Sequence, residues 1–570
     1  MYTTNSVSMC EALLSPGKCK KFLKMLQQTP LLQTVEMINT YTIGQKKTDL
    51  FQAELWTHML QHNGLKSISL HNTNCVPQKQ SHCDNPTRSD ELRELSITFC
   101  DLSLASISWL RVNFASHRSL ERLVLSDNGM RDDSIQMLCL MLRENNSVTS
   151  LDISNNNFGD GAMQSICCML AEGVDNRSKL SKLVLESNKI ADAGAILLAE
   201  TLSVSQRLKM LNVKDNNIGR RGMIALIETL WHNTGLDTLS LAYNYSDTST
   251  EHQLQGALRA NTTLRSLDVS MQQDDNTSNW ASDAASDDNC NVKLDVVGLL
   301  RAASHIHYIR FDGVHTSAHE IGQIQALLAV HTTLCRISFA GCGLSLSDVN
   351  QLAHGIGQNS GIEHLDLSNN KLCVSSRLRR NTRVLDAEFW TAISRNKTLQ
   401  VLKLPGNMLD LKSMWHVATF LAANTTLLQL DIANNNIGGI GALVVLHALA
   451  KNKCLQQLDL RRNATYALSF SKLLSSIIKQ RICMQQPSTL HVHGIALYIT
   501  KTELHVFKRE RMHRSMQLTK GEIVKLWTRD CVERKLAFML LTKSRLYHGP
   551  LTQLCVDTLR IILSFNIMLA

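Results

Sequence analysis

The residues that could bind a metal or act as nucleophiles are few, and their spacing does not complete a recognisable site. His315 and His319 are four apart and could share one face of a helix, while His491 and His493 are two apart and could share one face of a strand. Neither pair has the third ligand that a zinc site uses. Cys167-Cys168 lies in an apolar stretch with helical spacing, where a buried thiol is more common than a nucleophile. We therefore predict no catalytic residue, no metal and no cofactor.

Motifs of common enzymes are also absent from the chain. It contains no phosphate-binding loop G-x-x-x-x-G-K-[ST], no zinc-protease motif H-E-x-x-H and no nucleophile elbow G-x-S-x-G. The 16 cysteines are spread thinly and include no C-x-x-C pair, which favours reduced thiols over a disulfide scaffold. There is no secretory apolar segment at the N-terminus and no run of about 18 apolar residues. We expect a non-enzymatic protein that is cytoplasmic or nuclear and does not enter a membrane.

The positive charge is concentrated near the C-terminus. The 570 residues carry a formal net charge of +10. Between Lys501 and Arg545 there are 12 Lys and Arg against 5 Asp and Glu, a difference of +7. This stretch has few aromatic residues and no nucleic-acid-binding motif, so we interpret it as a solvated helical face and expect no nucleic-acid partner.

One short stretch, LLQLDIANNNI at 427–437, recurs along most of the chain as L-x-x-L-x-L-x-x-N-x-L. Leu427, Leu430 and Ile432 would point from a short strand into a core, and Asn435 would satisfy backbone groups in the turn after the strand. Apolar residues with helical spacing come next, so the repeating unit is strand, turn, helix and turn. Successive copies are separated by 27, 28, 28, 32, 28, 28, 28, 42, 28, 28, 37, 28 and 28 residues. Their first positions are Leu65, Leu92, Leu120, Val148, Leu180, Leu208, Leu236, Leu264, Ile306, Leu334, Ile362, Leu399, Leu427 and Leu455.

Three segments carry a resemblance to a known family: LDISNNNFGDGAMQSICCML, LVLESNKIADAGAILLAETL and LDLSNNKL. They resemble the 28-residue class of leucine-rich repeats, which is found in ribonuclease inhibitor, in GTPase-activating proteins of Ran and in innate immune receptors. The resemblance implies an α/β solenoid, curved like a horseshoe, with parallel strands on the concave face and helices on the convex face. It implies binding of proteins rather than catalysis.

The repeat pattern divides the chain into three regions. Residues 1–64 are predicted to form an N-terminal cap and a degenerate first repeat that starts near Leu32, residues 65–486 a solenoid of about 14 repeats, and residues 487–570 a helical C-terminal module. Two insertions, at 272–290 and 373–385, fall between strand and helix on the same rim. They are either tolerated surface loops or the two sides of a binding site on the rim, in which case the first insertion forms an acidic side and the second a basic side. The residues of interest there are Trp280, Arg377, Arg379, Arg380 and Arg383.

The variable strand positions are the other place where a partner could bind. They carry charges of both signs, which fits a protein surface better than a nucleic-acid backbone. Near the middle of the array are residue types that often anchor interfaces, although ordinary solvated strand residues remain the alternative. The predicted protein-binding residues are Tyr243, Arg265, Tyr308, Arg310 and Arg336.

The C-terminal module is either a cap for the last apolar edge or a partner-binding element. Leu551, Cys555 and Leu559 resemble the BC-box by which substrate receptors of cullin ligases bind elongin C, and the overlapping stretch 554–565 resembles the first helix of an F-box, which binds a Skp-like adaptor. The leading hypothesis is therefore a non-catalytic scaffold, with a ubiquitin-ligase substrate receptor as its most specific form. The alternative is a regulator of a small GTPase of the Ran-activator type, although the acidic C-terminal segment of those activators is absent.

Overall fold

The described part of the chain comes from a computed structural model and comprises residues 6–11, 13–29, 31–42, 45–77, 91–171, 178–271, 294–373, 385, 387–449, 451–463 and 491–493. The chain divides into two compact units, Met1–Leu497 and Tyr498–Ala570. All described residues belong to the first unit.

In its described residues, the first unit contains an open parallel sheet of 17 strands that succeed one another in chain order. β1 pairs with β3, β3 with β5, and every later strand with the next, up to β18 with β19. A separate pair is formed by β2 and β4. The strands are β1 Ser6–Cys10, β2 Leu13–Leu14, β3 Thr34–Ile38, β4 Tyr41–Thr42, β5 Ser67–His71, β6 Glu94–Thr98, β7 Arg122–Val124, β8 Ser150–Asp152, β9 Lys182–Val184, β10 Met210–Asn212, β11 Thr238–Ser240, β12 Ser266–Asp268, β13 Tyr308–Arg310, β14 Arg336–Ser338, β15 His364–Asp366, β16 Val401–Lys403, β17 Gln429–Asp431, β18 Gln457–Asp459 and β19 His491–His493.

Helices alternate with the strands and form the second layer. Because paired strands lie about 4.8 Å apart and packed helices about 8 to 10 Å apart, stacked strand–helix units must curve with the strands on the concave side. The predicted fold class, a curved α/β solenoid, is confirmed. The helices are α1 Pro16–Gln28, α2 Gln45–Gln61, α3 Leu104–Phe114, α4 Asp132–Glu144, α5 Asp160–Leu170, α6 Asp192–Val204, α7 Arg220–Thr229, α8 Thr248–Ala260, α9 Val296–Ala302, α10 Ala318–Val330, α11 Leu346–Gln358, α12 Ala387–Arg395, α13 Leu411–Ala423 and α14 Gly438–Leu449.

The consensus leucines form one continuous core between the two layers. In the copy at 427–437, Leu427, Leu430 and Ile432 are 0, 1 and 0% exposed. Each of the 14 predicted copies contributes one strand, from β5 to β18. The array begins earlier than the copy predicted at Leu32, since β1 adds a strand in which Val7 and Met9 replace the leucines and pack on the core. It also continues beyond residue 486 through β19.

A ladder of asparagines, buried except for Asn244, satisfies backbone groups in the strand-exit turns, as the sequence predicts, and also joins successive repeats. Asn156 is representative: its Nδ2 donates to the carbonyl oxygens of Leu125, Ile153 and Ser154 at 2.9 to 3.1 Å, and its Oδ1 accepts from the backbone N–H groups of Asn128 and Met130. One side chain therefore binds two repeats together. The ladder consists of Asn128, Asn156, Asn188, Asn216, Asn244, Asn370, Asn407, Asn435 and Asn463.

A second asparagine ladder, which the sequence did not reveal, lies where six of the described helices lead into the next strand. In Asn233, Nδ2 donates to the carbonyl oxygens of Leu202 and Ser205, and Oδ1 accepts from the N–H groups of Gly235 and Leu236. Each such side chain caps its own turn and holds the preceding repeat. The members with this pattern are Asn145, Asn233, Asn261, Asn359, Asn396 and Asn452.

Replacing either of two helical glycines by alanine should change the free energy of unfolding, but in opposite directions. A Cβ on Gly355 of α11 would lie 2.5 Å from the backbone oxygen of Gln325 in α10, whereas a Cβ on Gly322 of α10 would meet only Gln351 Oε1 at 3.8 Å. Alanine favours helix by about 1 kcal/mol over glycine. We expect Gly322→Ala to raise the free energy of unfolding by roughly 0.5 to 1 kcal/mol and Gly355→Ala to lower it by roughly 1 to 3 kcal/mol, because the backbones must separate. Chemical denaturation of both variants measures this, and equal shifts would contradict the packing.

The histidine pairs are placed differently from one another. α10 starts at Ala318, so His315 lies before the helix that contains His319, and the two cannot share a helical face. His491 and His493 are the first and third residues of β19. Cys167 is buried and Cys168 exposed on α5.

Across the described ranges, no group of three or more His, Cys, Asp or Glu residues could hold a metal ion, and no helix is long and apolar enough to cross a membrane.

Candidate protein-binding site

The residue just before the ladder position has a positive φ in every described repeat from Leu32 onward except the one that begins at Leu264, where it is Met271. Its φ is 48° to 59° where it is not glycine and 65° to 75° where it is, and its N–H donates to a carbonyl of the next repeat, as that of Tyr243 does to Ser270 at 2.9 Å. Glycine, asparagine and aspartate tolerate this left-handed region, and bulky side chains rarely adopt it. Among the described repeats this position is occupied by Asn39, Asn72, Phe99, Asp127, Asn155, Ser187, Asp215, Tyr243, Gly313, Gly341, Asn369, Gly406, Asn434 and Arg462.

Two aromatic residues stand out in this series. Phe99 is 53% exposed and packs edge-on against His71, with ring centres 5.0 Å apart. The ring of Tyr243 lies beneath Lys214, whose Nζ is 5.0 Å from the ring centre and 2.6 Å from Glu186 Oε1. A bulky residue held in the left-handed region costs on the order of 1 to 3 kcal/mol, and such strain is concentrated at functional sites.

A charged cluster lies on the concave face beside Tyr243. Arg310 on β13 donates through Nε to Asp312 Oδ2 at 2.6 Å, and its Nη1 is 3.6 Å from Asp268 Oδ2. Asp312 is 7% exposed and also accepts from Ser338 Oγ and from the N–H of Ala340. The guanidinium is therefore fixed by two carboxylates. We name as the mid-array patch the residues Lys214, Tyr243, Asp268, Tyr308, Arg310 and Asp312.

The hydroxyl groups of Tyr243 and Tyr308 make no hydrogen bond within the described residues. Partial burial raises the pKa of both groups, with smaller effects from nearby charges such as Arg310 and Asp268. Both therefore stay protonated at neutral pH and can donate. The patch thus offers two free hydroxyl donors on partly buried rings, fixed beside a rigid arginine.

The predicted concave residues are only partly brought together. Tyr243, Tyr308 and Arg310 share the mid-array patch. Arg265 lies just before β12 and next to Tyr308, whose N–H donates to the Arg265 backbone oxygen, while Arg265 Nη1 donates to the backbone oxygen of His305. Arg336 is exposed and in register with Tyr308 on one side and His364 on the other.

Several concave carboxylates have a structural role that their position alone does not show. In Asp268, Oδ1 accepts from the N–H and hydroxyl of Ser270, two residues later. Asp152, Asp366 and Asp431 accept from the N–H two residues on in the same way. One oxygen of each is therefore committed to the strand-exit turn, so these residues do not by themselves mark a binding site.

The other predicted site residues lie outside the part of the chain that the structure describes. These are the rim-loop residues Trp280, Arg377, Arg379, Arg380 and Arg383, and the adaptor-binding residues Leu551, Cys555 and Leu559. Phe99 was not predicted as a site residue. Its signal in the sequence is an aromatic side chain at the eighth position of the consensus, where most copies have a small or polar residue.

Comparison with known protein families identifies the type of repeat in part of the array. The Leucine Rich repeat family matches residues 116–139, 144–167, 178–199, 204–226 and 423–446. The chain contains leucine-rich repeats. An internalin from Listeria monocytogenes is a solved structure with some similarity, at 14% sequence identity and a TM-score of 0.29, covering 68% of this chain and 79% of the internalin. No curated protein sequence matches this chain.

Proposed function

We propose that this leucine-rich-repeat protein is a non-catalytic scaffold that binds another protein through the mid-array patch. The observation that carries the proposal is Tyr243: a bulky side chain held in a left-handed conformation, with a hydroxyl that has no partner among the described residues. Tyrosine and arginine are the residue types that most often dominate binding energy at interfaces. The spacing of 28 residues and the α-helix in each unit support the ribonuclease-inhibitor-like class of repeats.

Tyr243→Asn separates binding from folding. Asparagine accepts the left-handed conformation, and this relief of strain outweighs the loss of the Lys214 contact and of the partly buried ring, so the free energy of unfolding should rise by roughly 0.5 to 1 kcal/mol. Recovery of partner proteins by the full chain, measured by quantitative mass spectrometry, should fall at least about 10-fold if the ring is a binding anchor.

The matched control is Val204→Asn, because Val204 is 76% exposed at the end of α6, in the helical layer. This variant should recover partners as well as the wild type. A more stable Tyr243→Asn protein that keeps the same partners at the same yield would refute the role of the patch.

As a finer proposal, the scaffold is a ubiquitin-ligase substrate receptor. Support comes only from the BC-box-like and F-box-like spacing at Leu551, Cys555 and Leu559. An interaction screen that compares the wild type with Leu551→Asp/Cys555→Asp tests the receptor role. The absence of any elongin or Skp-like adaptor from the wild-type sample would contradict that role. The alternative is regulation of a small GTPase. If adding the protein leaves the rate of GTP hydrolysis by candidate GTPases unchanged, that result would count against this alternative.

A further inference from the structure

A buried glutamate on α8 has one carboxylate oxygen that finds no partner among the described residues. Glu251 is 4% exposed and lies in the first turn of the helix, after the capping residue Asp247. Its Oε2 accepts from the backbone N–H of Asp295 at 3.3 Å. Its Oε1 is buried and makes no hydrogen bond within the described ranges. A buried, ionised carboxylate with a free oxygen is costly unless it takes up a proton or finds another donor.

The free oxygen belongs to a residue that lines a cavity inside the repeat stack. The cavity offers about 30 Å³ of room for solvent, enough for about one or two water molecules. Its other polar lining residues include Ser246, Thr250 and Ser270, and its apolar lining includes Leu254. A neutral carboxylic acid could therefore donate to a water in this cavity.

The charges that face Glu251 are almost all negative. Burial is the main cause of its raised pKa. The hydrogen bond from the Asp295 N–H acts in the opposite direction, and the negative charges of Asp295 and Asp247 raise the pKa further, so that the net pKa of Glu251 is about 7. From α7, Arg220 Nε lies 3.2 Å from Asp247 Oδ2 and partly offsets that carboxylate. Tyr245 donates to Asp247 Oδ2. The cavity residues from β11, β12 and their exits, such as Leu241, Val269 and Ser270, carry no charge.

Glu251 also bears on how α9 begins. Asp295 caps α9, accepting from the N–H of Gly298 at 2.9 Å through Oδ1 and from Gln255 Nε2 at 3.0 Å through Oδ2. The N–H of this capping residue is the group that Glu251 binds. A change in the charge of Glu251 therefore acts directly on the junction between α8 and α9.

We propose that Glu251 is a proton-operated latch that holds the start of α9 against α8. When Glu251 is protonated, the junction contains no uncompensated charge at this position and is closed. When it ionises, a third carboxylate faces Asp247 and Asp295, and the junction opens more often. This role of Glu251 does not depend on the proposed partner binding. The cavity is nevertheless adjacent to the mid-array patch, because its lining residue Ser270 donates to Asp268 Oδ1 and accepts from the N–H of Asp312.

The direction of the pH effect is set by the raised pKa. The folded chain binds the Glu251 proton more tightly than the unfolded chain does, so protonation stabilises the folded state. This stabilisation is fully present below the ordinary pKa near 4.5 and is lost as pH rises through about 7. Hydrogen exchange of the full-length protein at pH 6 and pH 8, corrected for intrinsic exchange rates, should show local opening in residues 294–302 increasing on the order of 10-fold or more. Helix α6, which contains no histidine, is the internal control and should not change.

Glu251→Gln keeps the shape and removes the charge, so it should abolish the pH dependence and make exchange at 294–302 slow at both pH values. The proposal is overturned if the wild type shows no difference between 294–302 and α6. It is also overturned if Glu251→Gln retains the full pH dependence, since another group would then hold the proton. If the variant does not fold, the wild-type comparison alone decides.

Discussion

Asn156→Ala should destabilise the protein by about 3 to 5 kcal/mol. The substitution removes five hydrogen bonds and leaves the N–H groups of Asn128 and Met130 buried without an acceptor, each costing about 1 to 3 kcal/mol. The loss should appear in guanidinium denaturation and as faster hydrogen exchange in β7 and β8, the two strands whose repeats Asn156 joins.

The chain supplies two matched controls in the same run of three asparagines. Asn157 is exposed, so Asn157→Ala should change the free energy of unfolding by less than about 0.5 kcal/mol. Asn155 is exposed with φ of 52°, so Asn155→Ala should cost about 1 kcal/mol through backbone strain and Asn155→Gly should cost little. Similar effects at positions 156 and 157 would rule out the ladder as the source of stability.

Asn261→Ala should cost nearly as much, about 2 to 4 kcal/mol, because it breaks the second ladder. Asn261 is 5% exposed; its Nδ2 donates to the carbonyl oxygens of Leu230 and Asn233, and its Oδ1 accepts from the N–H groups of Thr263 and Leu264. Two carbonyls and two N–H groups lose their partner together. Thermal unfolding beside the exposed control Thr262→Ala measures the difference.

The same geometry makes a chemical prediction. Asn261-Thr262-Thr263 is a glycosylation sequon, yet the nitrogen that would receive the sugar is buried and donates two hydrogen bonds. The folded protein should therefore remain unmodified at Asn261 when exposed to an oligosaccharide transferase, as intact-mass measurement would show. Efficient glycosylation of the folded chain would mean that this turn is open.

The contrast between the two ladders shows what the sequence can reveal. The strand-exit asparagines recur at a fixed position after the leucines, so periodicity and the need to satisfy turn backbone groups predict their role. The second ladder is interrupted by His117 and His331, and its members look like ordinary helix-ending asparagines or chance sequons. Their contacts with the preceding repeat reach 28 to 40 residues back, which becomes visible only once the repeats are stacked.

The site was less predictable than the fold for the same reason. Residue type singled out Tyr243, Tyr308 and Arg310, and stacking brings them together. Arg265 has an equally suitable side chain and its backbone is adjacent to Tyr308, but its guanidinium donates to the backbone oxygen of His305, a contact that residue type does not reveal. Glu251 looks like a normal solvated helix residue, and only the packing of α8 against α9 buries it.

Photocrosslinking from the concave face tests the central claim most directly. Benzoylphenylalanine placed at Tyr308 in the mid-array patch is compared with the same group at Ala326, an exposed position of α10 in the same repeat. If the patch binds proteins, position 308 forms strong, specific crosslinks to partner proteins and position 326 does not. Crosslinks at 326 with none at 308 would contradict binding at the concave face and place any interface in the helical layer.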